Sequence, residues 1–148
     1  MINDKDQSTH HSPAAGVSQI DVARLAGVLA GAGVTGAINK LIEILNLRLP
    51  GDLDEEYDLS RHIPPERRPV VFIGPYEHHS NELSWRQSLA TTVQVRLDAA
   101  GQIDLAHLEE LLQDPRYQSR KLIGSFSAAS NVTGMRSDVR SIASLLHK

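Results

Sequence analysis

Apolar positions along the chain fall into two kinds of run, and their spacing predicts alternating helices and strands. Ile38, Leu41, Ile42 and Leu45 recur at i, i+3, i+4 and i+7, one face of an amphipathic helix. The helix starts near Thr35 and is expected to stop at Leu49-Pro50-Gly51. Val70-Val71-Phe72-Ile73-Gly74 is a continuous apolar run closed by Pro75, the signature of a strand buried on both faces. Thr91 to Leu97 alternates at period two and predicts a second strand, and Lys121 to Ser127 predicts a third. Asp104 can cap a helix carrying Leu105, Leu108, Leu111 and Leu112, which ends at Asp114-Pro115. Ser137 is placed to cap a last helix with Val139, Ile142 and Leu146 on one side. Helices alternating with short apolar strands predict an α/β layer with a mostly parallel sheet and flanking helices.

Other stretches break the pattern. Residues 1–20 are polar and aperiodic and are expected to form a disordered tail, leaving 21–148 as the folded part. Asp21 to Ala32 is apolar and fits either a strand or an alanine-rich helix. The charged, proline-rich stretch through Ile63-Pro64-Pro65-Glu66-Arg67-Arg68-Pro69 reads as an unusually long loop.

Composition narrows the function classes. The chain has no cysteine, which excludes disulfides, thiolate metal sites and a cysteine nucleophile within it. A net charge of −3 offers no basic surface for nucleic acid or anionic membrane. No apolar run approaches the ~20 residues of a membrane span. The amino terminus lacks the basic-then-apolar order of a signal peptide, so a cytoplasmic setting is expected.

Three segments carry chemistry. Gly31-Ala32-Gly33-Val34-Thr35-Gly36 opens onto the best helix, where free backbone amides and the helix dipole make an anion site. A plain capped helix start is the alternative. The same glycines, Gly31, Gly33 and Gly36, satisfy the dinucleotide fingerprint, but that motif needs a strand after the helix ending in an acid. Here the corresponding acids, Asp52 to Glu56, fall in the expected loop. Glu77-His78-His79-Ser80-Asn81 follows the first strand and delivers imidazoles where open α/β sheets hold ligands. Adjacent residues of an extended segment point to opposite faces, so the two histidines are not expected to share a metal ion, and no metal site is predicted. Trp85 is expected in the core. Ser127 and Ser130 lack the strained elbow of a hydrolase nucleophile. Ser130-Asn131-Val132-Thr133-Gly134 follows the third strand with small residues and an amide that both donates and accepts.

In this order the three segments resemble the aminotransferase class V group of pyridoxal-phosphate enzymes, in its cysteine desulfurase and selenocysteine lyase-like branch. The likeness runs from about Gly31 to the end of the chain. It implies part of the large domain of a fold type I pyridoxal-phosphate-dependent transferase. It also implies pyridoxal 5'-phosphate as cofactor, an amino-acid substrate and a homodimeric complete enzyme. By the match, Gly33, Val34 and Thr35 hold the cofactor phosphate, His78 stacks on the pyridine ring and Asn131 sits beside the ring hydroxyl and substrate.

The chain departs from the family pattern in several places. Ser84 stands where relatives often have proline. The aspartate that pairs with the pyridinium nitrogen and the Schiff-base lysine come later in the family order than Lys148, so no catalytic residue is assigned. His147-Lys148 mimics the lysine dipeptide but comes too early, and Lys5, Lys40 and Lys121 are no better placed. The expectation is amino-acid chemistry of the desulfurase or lyase type, in a chain that is an incomplete enzyme and inactive alone. The alternatives are a Rossmann-type nicotinamide-dinucleotide domain on Gly31, Gly33 and Gly36, and a non-catalytic truncated remnant.

Overall fold

The computed structural model describes residues 33–148; the tail, Gly31 and the ambiguous segment 21–32 lie outside the described residues. Three strands form one parallel sheet: β1 (Val70–Ile73), β2 (Thr91–Gln94) and β3 (Leu122–Ser125), in the order β2-β1-β3. Val70 pairs with Thr91 on one side and Leu122 on the other. All four β1 side chains are buried, as a central strand covered on both faces requires.

The helices are α1 (Gly33–Ile44), α2 (Gly51–Tyr57), α3 (His79–Arg86), α4 (Leu105–Gln113) and α5 (Val139–Leu146). On one face, Ile42 of α1 and Trp85 of α3 pack with Val71, Ile73 and Ile123. On the other, Leu108 of α4 and Ile142 of α5 pack with Val70, Phe72 and Val95. The chain steps from β1 to β2 through α3, then back across β1 to β3 through α4. Steps in opposite directions with one hand of crossover put their helices on opposite faces, so both faces of the sheet are covered. Each fully buried Phe72 or Leu108 side chain contributes about 1.5–3 kcal/mol.

Several local expectations change. The first helix ends at Ile44, ahead of Leu49-Pro50-Gly51. Asn46 takes a left-handed conformation (φ 55°) and the Leu47 N–H returns to the Ile42 carbonyl at 3.0 Å, a motif that ends helices without proline. Gly51 opens a helix where a loop was expected. With Asp52 and Asp54 in its first turn and no buried residue, α2 lacks an apolar stripe to betray it. The connection to β1 continues as two 3-10 turns, Leu59–His62 and Pro65–Arg67. Because α1 is followed by helix and turns, with β1 starting only at Val70, the dinucleotide reading of the glycines loses its required second strand.

The period-two run from Thr91 divides. Its first half is β2, and Leu97 pairs antiparallel with Ile103 as one arm of a hairpin. Asp104 caps α4 as expected, accepting from the His107 N–H at 2.9 Å. The cap of α5 is Asp138, not Ser137. The Ser137 hydroxyl is committed to tertiary bonds, donating to the Ser127 carbonyl at 2.6 Å and accepting from Tyr76 at 2.9 Å.

Candidate active site

In a parallel sheet every strand exits at the same edge. Gly74 to Asn81 follows β1 and Phe126 to Ser137 follows β3, so both segments stand at the carboxyl edge on neighbouring strands. The chain leaves β1 toward α3 on one face and leaves β3 toward α5 on the other. That divergence opens a crevice between the two strand ends, the usual place for a ligand in an open α/β sheet.

A carboxylate closes the floor of this crevice. Glu77 Oε1 accepts the backbone N–H of Gly74 at 3.1 Å and of Ser127 at 2.8 Å. Its Oε2 accepts the Asn81 amide at 2.8 Å and the Ser127 hydroxyl at 2.5 Å. Asn81, itself buried, also donates to the Ser125 carbonyl at 3.0 Å and accepts the Ser125 hydroxyl at 2.6 Å. Buried polar groups persist only when paired in this way. The Trp85 indole completes the set by donating to the Ser125 hydroxyl at 3.0 Å, from a fully buried position in the core.

His78 is exposed and is the N-cap of α3. Its Nδ1 accepts from the Ser80 N–H at 3.1 Å, which leaves the proton of the neutral ring on Nε2. The neighbouring His79 ring is 6.1 Å away and tilted by 47°. On the other wall, the buried Ser130 hydroxyl accepts the N–H groups of Val132 (3.3 Å) and Thr133 (3.2 Å). Gly134 closes the turn with φ 71°, a conformation that favours glycine. Asn131 is carried on this turn with its side chain exposed. The Ser-Asn-x-x-Gly run is therefore a self-bonded turn that presents an amide.

Gly33, Val34 and Thr35 form the first turn of α1, with Gly33 at φ 67° and all three exposed. α1 packs alongside α3, and the segments leaving both helices are tied by the Leu89 N–H to the Leu47 carbonyl at 2.8 Å. Thr35 lies inside the first turn rather than capping it.

The described lysines lie elsewhere. Lys40 pairs with Glu43 at 3.0 Å and Lys148 with Glu109 at 3.0 Å, both exposed. Lys121 precedes β3 and is therefore at the amino edge, opposite the crevice. A recess of about 310 Å³ between α4 and α5 is lined by Asp98, Asp104 and Asp138 among others. Those carboxylates serve as turn and helix caps, accepting from Gln102, His107 and Ser141.

The profile of the aminotransferase class-V family matches residues 57–148. The chain belongs to this family. The three-layer arrangement is that of part of the family's large domain. Over 83 residues the chain is 42% identical to a probable cysteine desulfurase of Chlamydia muridarum and 39% identical to one of Chlamydia trachomatis. Each alignment covers 53% of this chain and 20% of the relative, so the chain spans about a fifth of the proteins it matches. Among the described residues no helix is long and apolar enough to cross a membrane.

From the sequence His78 and Asn131 stand out and Ser127 is weighed only as a nucleophile, while Glu77, Asn81 and Ser125 receive no role of their own. One signal was available: Glu77 and Asn81 stand four apart on the entry to a helix, the spacing at which side chains meet.

Proposed function

We infer that the crevice is the part of a pyridoxal 5'-phosphate site that holds the phosphate, one ring face and the ring hydroxyl. The donor set fits that group. The amides of the first turn of α1, which have no partner within the helix, suit a phosphate together with the Thr35 hydroxyl. The exposed His78 imidazole suits a pyridine ring, and the exposed Asn131 amide suits a phenolic oxygen. The observation that carries the reading is the Glu77 bridge, which joins the His78 segment to the strand exit bearing Asn131.

When bound, this cofactor supplies an electron sink for breaking bonds at an amino acid's α-carbon. The residues of this chain bind and orient. The start of α1 anchors the phosphate end, His78 fixes the ring plane and Asn131 holds an amide proton at the hydroxyl. The substrate is an amino acid, and the names of the two relatives favour desulfuration over transamination. The whole enzyme works as a cytoplasmic homodimer without a nucleic-acid partner. Alone, the chain does not turn over substrate. That reading is supported by Lys40, Lys121 and Lys148, each engaged or placed away from the crevice.

Titration of the purified chain with pyridoxal phosphate, read by visible absorbance and by the fluorescence of the sole tryptophan, tests this. Saturable binding that pyridoxal without phosphate does not match is expected. Borohydride should trap no stoichiometric lysine adduct, and cysteine should not be consumed. Equal binding of both compounds would remove the phosphate site. A site-specific lysine adduct with turnover would show the chain to be a working enzyme.

A further inference from the structure

We propose that Glu77 is a positioning residue, the clasp that sets the separation between the His78 ring and the Asn131 turn. The proposal rests on the cofactor reading for its consequence, while its geometry stands independently. Every donor around the carboxylate comes from a segment that must hold still. The Gly74 N–H belongs to the exit of β1, the Asn81 amide to α3, and the Ser127 N–H and hydroxyl to the exit of β3. Four converging donors need an acceptor-only group with two oxygens, which a carboxylate is and a carboxamide is not.

The two sides of the clasp connect directly to the site. His78 is the next residue along the chain. Beyond Ser127, the Ala128 carbonyl accepts from the Ser137 N–H at 2.9 Å and Ala129 pairs with Arg136, so the Asn131 turn hangs from a closed hairpin. With both arms stiff, the Glu77–Ser127 bonds join them next to the site, alongside the bonds of Asn81 to Ser125 and of Tyr76 to Ser137. Gly74 is shaped around this joint. A methyl group on it would lie 2.5 Å from Glu77 Oε1, so any larger residue expels the carboxylate without altering Glu77 itself.

The chain contains no cysteine, so spin labels can be placed at will. The exposed Leu83 on α3 and Val132 on the turn, each replaced by cysteine, report the distance between the arms by pulsed electron resonance. The parent should give one narrow distance. Glu77→Gln and Gly74→Ala should each broaden or lengthen it, and Ser127→Ala should do so less, since its amide bond remains. Pyridoxal phosphate affinity should fall about tenfold in Glu77→Gln, the scale of losing an outer-shell orienting group, and by less in Glu77→Asp.

If the parent takes up no cofactor while the distances respond as stated, the cofactor reading fails and the clasp stands. A lowered melting temperature with unchanged distance and affinity would reduce Glu77 to a structural residue and overturn the proposal. Should Glu77→Gln fail to fold, Gly74→Ala and Ser127→Ala decide the matter by the same distances.

Discussion

The indole N–H of Trp85 donates to the hydroxyl of Ser125 across 3.0 Å, joining α3 to the last residue of β3. The bond couples the apolar core to the polar crevice, because the same hydroxyl serves the buried Asn81. Trp85→Phe leaves a void and one missing donor, and should cost about 2–4 kcal/mol of stability. Ser125→Ala strands both the indole and the Asn81 oxygen and should cost about 1–3 kcal/mol. The double variant should cost less than the sum, as expected for residues in one network. Urea midpoints at unchanged slope measure all three.

His78 serves α3 as its cap and, in the proposed site, the cofactor with its ring. The two roles separate by substitution. His78→Ala should lose about 1 kcal/mol of stability and weaken pyridoxal phosphate binding. His78→Asn restores a capping acceptor and should recover the stability alone. Recovery of binding as well would take the ring out of the site.

Three capping aspartates, two of them half-buried, make stability fall in acid. Asp104 is held below its ordinary 3.8 chiefly by the Arg96 guanidinium, then by the His107 N–H. Asp114 is lowered by Arg116, and Asp138 by the Ser141 hydroxyl and N–H. A carboxylate lowered by folding stabilises fully above its unfolded value, and the effect is lost as pH falls through the folded value. Urea midpoints should therefore be flat above the ordinary carboxylate range and drop below it. Asp104→Asn should shrink that drop, and added salt should shrink the Arg96 part.

Gly124 faces the tip of Leu146, and a methyl group there would overlap Leu146 and crowd Phe126. Gly124→Ala should cost about 1–3 kcal/mol, the usual scale of overpacking. Leu146→Ala opens the space, so the pair should cost less than the two single changes added together. Strict additivity in thermal melts would place the strain elsewhere.

The crevice was only partly legible from its residues. His78 and Asn131 stood out because a ring and an amide followed apolar runs at strand ends. Glu77 did not, because a glutamate between a tyrosine and a histidine looks like any solvated charge. Its meaning comes from Ser127, 50 positions later, and from the register that sets Ile73 beside Ser125. Ser137 misled for the same reason: a serine before a helix suggests a cap, yet its hydroxyl is taken by Tyr76, 61 positions away.

The sequence by itself determined the elements whose cause is local. The unbroken apolar run of β1, the 3.6-residue stripes of α1, α4 and α5, and the Asp104 cap depend on neighbours within a turn or two. Only the tertiary structure decided the order β2-β1-β3, which makes β1 and β3 neighbours and opens the crevice between their ends. It also decided which polar groups are paired. A buried donor takes whatever acceptor the packed strands bring within about 3 Å, and strand order, unlike helical spacing, is not written in any short window of the chain.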